Sequence, residues 1–232
     1  MLNESDLTFI QTVLTFWDHL NQNQQTMLLE NAIPVNYQRG ENIHRGENDC
    51  VGVLLIKSGE LRTYILSEDG RDITLYRLGA DEVCLLSASC ILENITFDVH
   101  IDAEKDCEVL LLQSAVFQQI CNENIHAENF SYKSMIDRFS DVMWAMQQIL
   151  FMSFDKRLTI FLLDEVARTG SNTINMTHEQ IAKYVGSARE VVSRMLKYFE
   201  NEGYVNLSRG KIKVIDKVQL SKICSVGTKL IS

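Results

Sequence analysis

The sequence predicts an α+β protein with a β-rich N-terminal half, one long central helix and a mixed C-terminal part. Three observations lead to this prediction: short apolar runs separated by glycines, a helical period that follows them, and two helix-start signals ten residues apart near the C-terminal end. The chain has 232 residues, 46% hydrophobic and 23% charged. It is therefore long enough for two cores and has the composition of a folded protein.

The charge of the chain is unevenly divided. Residues 1–154 hold 9 Lys and Arg against 23 Asp and Glu, a net of −14, and residues 155–232 hold 13 against 8, a net of +5, within the overall −9. The basic last third favours a polyanionic partner. Because no run of about 18 apolar residues occurs and the N-terminus lacks a signal-peptide pattern, we expect a cytosolic protein with no membrane partner.

The first half has the pattern of a β-domain preceded by short helices. Residues 5–32 have helical spacing, with Ser5 as the expected cap, and Pro34 ends that segment. The runs VGVLLI, LRTYIL, ITLYRL and CEVLLL follow, separated by glycines. Strands of this length and spacing predict an antiparallel sandwich or barrel, which we place with its N-terminal helices at residues 1–121.

A helical period begins near residue 122. Six apolar residues alternate in steps of three and four, which is typical of a coiled-coil seam, and a second stripe, Ile136, Met143 and Leu150, lies beside it. We predict a dimerisation helix and hinge at residues 122–154, with the second stripe facing the β-domain. A core helix buried within one chain is the alternative. The predicted dimer interface is Tyr132, Met135, Phe139, Val142, Met146 and Ile149.

The most specific local pattern is MTHEQIAKYVGSAREVVSRMLKYFENEGYV, residues 176–205. Thr177 with Gln180, and Ser187 with Glu190, have the spacing of capping boxes, so two helices should begin there. Gly186 allows the tight turn between them. The pattern predicts a helix-turn-helix.

The second of these helices has a polar face opposite its apolar stripe, and a hairpin with a basic tip follows it. Arginine, lysine, serine and one carboxylate supply the donors and the acceptor that bind base edges and phosphates. We therefore expect a winged helix-turn-helix at residues 155–232 that binds double-stranded DNA. A solvated helix face is the alternative. The predicted DNA-binding residues are Arg189, Glu190, Ser193, Arg194, Lys197, Arg209 and Lys211.

With these motifs, nearly the whole chain resembles the CRP/FNR superfamily of bacterial transcription regulators. The resemblance includes the glycine pattern of a cyclic-nucleotide-binding-like β-roll and the segment E-V-V-S-R at residues 190–194, which is similar to the FNR branch. It implies a homodimer that binds a TTGA-like palindrome, an effector-sensing β-roll, and contact with RNA polymerase. It also implies that Glu190 accepts from cytosine, Arg194 donates to guanine, and Ser193 lies near a thymine or phosphate.

The effector pocket departs from the family pattern. Alignment at Cys107 places Phe97 and Asp98 where the cyclic-nucleotide members have the Arg-Ser pair that holds the cyclic phosphate, so cyclic AMP is not expected as a ligand. No cysteine precedes Cys50, so the N-terminal type of iron–sulfur cluster is not expected either. We expect control by another effector, or by a redox or gas signal.

The cysteines and histidines near this pocket leave three interpretations open. Cys84, Cys90 and His100 are compatible with a thiol redox switch, with a haem or other metal site, or with simple filling of the core. All six cysteines are expected to be thiols, and the other four histidines to be surface or capping residues. The predicted pocket residues are Cys84, Leu85, Leu86, Ser87, Cys90, Phe97, Asp98 and His100.

Two other functions compete with DNA binding. A winged helix can contact a protein instead of DNA, and a shift assay at varied salt would distinguish the two. A metal-dependent enzyme of the cupin kind needs paired histidines and further ligands, but the β-segment has only His44 and His100, 56 residues apart. No nucleophile–base pair or phosphate loop is recognisable, so we expect no enzymatic activity.

Overall fold

The computed structural model describes residues 2–46, 50–91 and 98–225 of the chain. The chain divides into two compact units, Met1–Gly70 with Leu75–Met143, and Arg71–Thr74 with Trp144–Ser232. The division falls inside a long helix, whereas the sequence pattern suggested separate boundaries on either side of that helix.

The first unit begins with α1 (Glu4–Val13), a 3₁₀ turn (Trp17–His19) and α2 (Gln22–Glu30). Asn3 is the N-cap of α1: its side chain accepts from the backbone N–H of Asp6, and the Asp6 carboxylate accepts from the backbone N–H of Asn3. The prediction of Ser5 as the cap is therefore wrong. Asparagine caps a helix as well as serine does, and here it lies two residues earlier.

The predicted β-domain is confirmed as two four-stranded sheets. The sheet orders are β1-β8-β3-β6 and β2-β7-β4-β5, and the first four residues of β3 are buried. Apolar side chains from both sheets form the core. The strands are β1 (Ala32–Tyr37), β2 (Asn42–Arg45), β3 (Val53–Ser58), β4 (Leu61–Leu66), β5 (Asp72–Leu78), β6 (Val83–Cys84), β7 (His100–Ala103) and β8 (Cys107–Leu112).

Two helices follow the sheets, α3 (Ser114–Glu123) and α4 (Ile125–Phe151). The helix α4 ends just before the expected hinge, and α5 (Phe154–Thr169) begins there with Ser153 at its N-cap position. The Arg157 guanidinium donates to the backbone carbonyl of Ile149 at 3.1 Å. This contact satisfies one of the carbonyls that the end of a helix leaves without an intrahelical partner.

The second unit has the winged helix-turn-helix architecture that the sequence predicts. Its sheet has the strand order β10-β11-β9, and its core combines side chains from the helices and the sheet. Among the described residues, no helix combines the length and apolar character needed to cross a bilayer. After α5 come β9 (Thr173–Ile174), α6 (His178–Val185), α7 (Arg189–Asn201), β10 (Val205–Ser208), β11 (Lys211–Val214) and α8 (Lys217–Ser225).

Candidate nucleic-acid interface and effector site

The helix α6 and the turn that ends it agree with the sequence prediction. Thr177 caps α6 and forms a reciprocal capping box with Gln180. Gly186 ends α6 in the left-handed region at φ +58°, ψ 54°, a conformation that glycine adopts at little cost. The start and the end of α6 are therefore fixed by local sequence.

The second capping box is a wrong prediction. The helix α7 begins at Arg189 with Ala188 as N-cap, and no side chain caps it. The backbone N–H of Ser187 instead donates to the carbonyl of Ala182 at 3.0 Å and so belongs to the turn. Glu190 is consequently the second residue of α7, is exposed, and is not required to cap Ser187.

The helix α7 has one apolar and one polar face. Val192, Leu196 and Phe199 are fully buried, in agreement with the predicted stripe. The exposed charged residues, Arg189, Glu190, Arg194 and Lys197, lie on the solvent side. A helix fixed on one face and carrying two arginines, a lysine and a carboxylate on the other suits the major groove of DNA.

Ser193 differs from the other predicted DNA-binding residues because it is half-buried and has a partner. Its Oγ lies 2.8 Å from Nδ1 of His178, the first residue of α6. Burial and the nearby Arg189 guanidinium lower the pKa of His178 from its usual value. The sequence analysis assigned His178 to the surface or to a cap. His178 and Ser193 are 15 residues apart, and no sequence pattern indicated their contact.

A second carboxylate connects α7 to the wing. Oε1 of Glu200 accepts from the backbone N–H of Leu207 at 2.9 Å, and Oε2 lies 2.7 Å from Nζ of Lys197. At the tip of the wing, Arg209 and Lys211 are exposed as predicted. Lys213, on the exposed face of β11, adds a positive charge that the sequence-based assignment left out.

One row of apolar side chains on α4 is exposed. These residues alternate in steps of four and three, and 45% to 66% of each residue is accessible. We call this row the exposed seam. Its members are Tyr132, Ile136, Phe139, Met143, Met146 and Leu150.

The exposed seam differs from the predicted dimer interface. Tyr132, Phe139 and Met146 are in both sets, but Met135 and Val142 pack against the core of the first unit. Ile149 lies against Gly186 of its own chain, where a Cβ would come within 3.3 Å of its Cδ1. The stripe expected to face the β-domain is the exposed one. Two adjacent stripes with the same period cannot be distinguished by spacing alone, which explains the difference between the two sets.

The predicted effector pocket is only partly brought together. Cys84, Leu85, Leu86 and Ser87 are buried. The Ser87 hydroxyl lies 2.6 Å from the carbonyl of Gly52 and 3.0 Å from that of Cys84, so it connects its own segment to the residue just before β3. Burial raises the pKa of the Cys84 thiol, which disfavours the thiolate.

His100 does not join this cluster. It lies on the opposite face of β7 from the buried Ile101, and its ring stacks on Tyr64 with centroids 5.3 Å apart. Asp98 is exposed. The side chain of Cys90 and the whole of Phe97 fall outside the described residues. Across the part of the chain that the structure describes, no group of three or more metal-binding side chains is present.

Two expectations about cysteines and histidines are corrected. Cys50 is disulfide-bonded, whereas Cys84, Cys107, Cys121 and Cys224 are free. His44 is buried, with 1% of its surface exposed, so it is not a surface residue. His19 and His126 are exposed as expected, and their rings stack 3.7 Å apart.

The interior of the β-domain contains polar groups that the sequence did not indicate. The hydroxyls of Thr63 and Tyr76 are buried, and among the described residues neither has a partner in a hydrogen bond of ordinary geometry. Burial raises the pKa of Tyr76, and the neighbouring Thr63 hydroxyl lowers it by a smaller amount. The Arg138 guanidinium lies 5.2 Å from the centre of the Tyr76 ring. Buried hydroxyls of this kind usually have a partner, and a ligand can supply one.

Comparisons with known proteins agree with this architecture. A family model of the Crp-like helix-turn-helix domain matches residues 156–223, and one of the cyclic nucleotide-binding domain matches residues 34–124. A solved structure from Eubacterium rectale ATCC 33656, assigned to the crp/fnr family of transcriptional regulators, is 46% identical, covers 90% of this chain and 97% of that one, and has a TM-score of 0.87.

Two relatives by sequence are more distant. The transcriptional activator protein FnrA of Stutzerimonas stutzeri is 22% identical over 79% of this chain and 77% of its own length. The cAMP-activated global transcriptional regulator Vfr of Pseudomonas aeruginosa PAO1 is 25% identical over 75% of this chain and 84% of its own length.

Proposed function

The chain belongs to the CRP/FNR family of DNA-binding transcription regulators, and from this premise we propose that it acts as a homodimer on a palindromic operator. Each protomer would place α7 in the major groove of one half-site. The observation that carries this proposal is the division of α7 into a buried apolar face and an exposed face with Arg189, Glu190 and Arg194. We also propose RNA polymerase as a partner, and this proposal rests on the family resemblance alone.

The exposed seam supports the homodimer. Six large apolar side chains in a heptad-like row are unusual on a single chain in water, and a twin helix with the same row would cover them. A two-fold dimer presents its recognition helices about 34–36 Å apart, one turn of DNA. The operator is therefore expected to contain two half-sites separated by about one helical turn.

Within each half-site we assign base contacts to α7 and phosphate contacts to the residues around it. Arg194 has the fork of donors that matches the guanine edge, and Glu190 has the acceptor that matches the cytosine amino group. Lys197, Arg209 and Lys211 would bind phosphates, and a TTGA-like half-site is expected from the family resemblance. The net charge of +5 over residues 155–232 favours this polyanion.

Selection of bound sites from a random DNA pool tests the proposal. The full chain should recover a palindrome with TTGA-like halves, and Glu190→Gln should change the preferred base pair at one symmetric position. Recovery of no palindrome would contradict the homodimeric operator. Failure to retain any specific DNA, at low and moderate salt, would favour the alternative in which the winged helix contacts a protein.

We assign control of the dimer to an effector other than cyclic AMP, bound in the β-domain. Cyclic AMP is disfavoured because Cys84 is buried in the core and the Ser87 hydroxyl lies 2.6 Å from the carbonyl of Gly52, so neither side chain is available to a cyclic phosphate. The buried neutral hydroxyls of Thr63 and Tyr76 favour a ligand with hydrogen-bonding groups and little charge. Calorimetry with cyclic AMP should show no saturable binding tighter than about 100 μM, or about −5.5 kcal/mol.

A further inference from the structure

The contact between His178 and Ser193 lies within the predicted DNA-binding surface. His178 is the first residue of α6, and the Thr177–Gln180 capping box fixes where that helix begins. Ser193 lies one helical turn after Arg189 and one turn before Lys197, so the three residues form a row along α7. The distance from Nδ1 to Oγ is 2.8 Å.

This contact limits what Ser193 can offer to DNA. A serine hydroxyl has one hydrogen to donate and two lone pairs that accept. If Nδ1 of His178 has no hydrogen, it takes the hydroxyl hydrogen, and Oγ can only accept from a base. If Nδ1 carries a hydrogen, it donates to Oγ, and the hydroxyl hydrogen is free for thymine, guanine or phosphate oxygen.

We propose that His178 is a specificity-determining residue that sets whether Ser193 acts as an acceptor or as a donor toward the DNA. In the neutral ring with its hydrogen on Nε2, Nδ1 accepts from Ser193, and Oγ then prefers the amino group of adenine or cytosine. In the protonated ring both nitrogens carry hydrogen, so the preference changes to the oxygen of thymine or guanine. The proposal rests on the DNA-binding function proposed above.

The surroundings of the imidazole determine the direction of this change with pH. The charge that acts on it is the Arg189 guanidinium of α7, and Glu179, the next residue of α6, is exposed. Burial and Arg189 both lower the pKa of His178, so the ring is neutral at neutral pH and gains its proton only on acidification. The acceptor state of Ser193 therefore belongs to neutral pH, and the donor state to acidic pH.

The test is selection of DNA sites by the full chain at about pH 8 and about pH 5, because a pKa below the ordinary imidazole value of about 6.5 needs a clearly acidic condition for protonation. The wild type should shift its base preference at the position facing Ser193 by about 3- to 10-fold between these conditions, the range of one hydrogen bond. The variants His178→Phe and His178→Gln should show no shift, because neither side chain titrates. Ser193→Ala, alone or with His178→Phe, should show no preference at that position.

Controls separate the possible failures. His126→Phe, which removes an exposed histidine of the first unit, should keep the wild-type shift. His178→Gln provides the result if His178→Phe is destabilised in thermal unfolding. A palindrome that shows no shift with pH, or the same shift in both His178 variants, would overturn this inference alone. Recovery of no palindrome by the wild type would instead contradict the proposed function.

Discussion

Oε1 of Glu200 accepts a hydrogen bond of 2.9 Å from the backbone N–H of Leu207 and so joins the recognition helix to the wing. The hydrogen bond with Lys197 and the one from Leu207 lower the pKa of the Glu200 carboxyl. A carboxyl with a lowered folded-state pKa stabilises the fold above its unfolded pKa of about 4.3. That contribution is lost as the pH falls through the lower folded value.

Glu200→Ala should loosen the wing, because it leaves the Leu207 N–H without this acceptor. Amide hydrogen exchange at Leu207 should become faster, whereas Glu200→Gln, which retains an acceptor oxygen, should stay close to wild type. Glu202→Ala, a nearby exposed carboxylate, is the matched control. Unchanged exchange at Leu207 in Glu200→Ala would show that the strand pairing alone holds the wing.

Phe139→Asp and Ile136→Asp should both give monomers in light scattering. Each places a charge in the exposed seam, and burying an unpaired polar group costs roughly 2–7 kcal/mol. The monomers should also bind DNA more weakly, because two linked half-site contacts reinforce one another. Ser140→Asp adds the same charge beside the seam and should leave the dimer intact.

Val142→Asp tests which stripe of α4 forms the seam. Because Val142 packs against the core of the first unit, this change should lower the midpoint of thermal unfolding. Ile136→Asp should leave that unit folded while it separates the protomers. The opposite result would favour the interface predicted from sequence: Ile136→Asp would remain a dimer, and Val142→Asp would be a folded monomer.

Arg194→Ala and Arg209→Ala should weaken DNA binding in different ways. Loss of the guanine contact of Arg194 should cost about 1–3 kcal/mol per half-site and relax discrimination at one position. Loss of a phosphate contact at Arg209 should weaken all sequences alike and flatten the dependence of affinity on salt. Binding titrations at several salt concentrations, on matched and mismatched operators, measure both effects. If Arg194→Ala weakened binding equally on all operators, the base contact assigned to Arg194 would be wrong.

Cys84 should be unreactive in the folded protein. Only 1% of the residue is exposed, and burial raises the pKa of its thiol, so little thiolate forms at neutral pH. Mass spectrometry after treatment with a maleimide should find Cys84 modified only in denatured protein. Mild oxidant should affect operator affinity equally in the wild type and in Cys84→Ser. A response present in the wild type and absent from the variant would favour the thiol switch.

The sequence predicted best what local chemistry determines. Gly186 and the Thr177–Gln180 capping box place the helix turn because the residues that form it are neighbours in the chain. Ser187 failed as a cap because its backbone N–H bonds to Ala182 in the turn after α6, so α7 begins one residue later than the capping-box spacing predicts. The partner of Ser193 depends on how α6 and α7 pack, which spacing does not encode.

The contact of Ile149 with Gly186 bears on how the DNA-binding part can be isolated. A fragment that begins at the helix break near residue 154 would lack Ile149, and with it the side chain that lies over the turn. The same fragment would also lack the Ile149 carbonyl to which Arg157 donates. The smallest self-sufficient piece should therefore start near Trp144 and include the last two turns of α4. Such a piece would retain Met146 and Leu150 from the exposed seam.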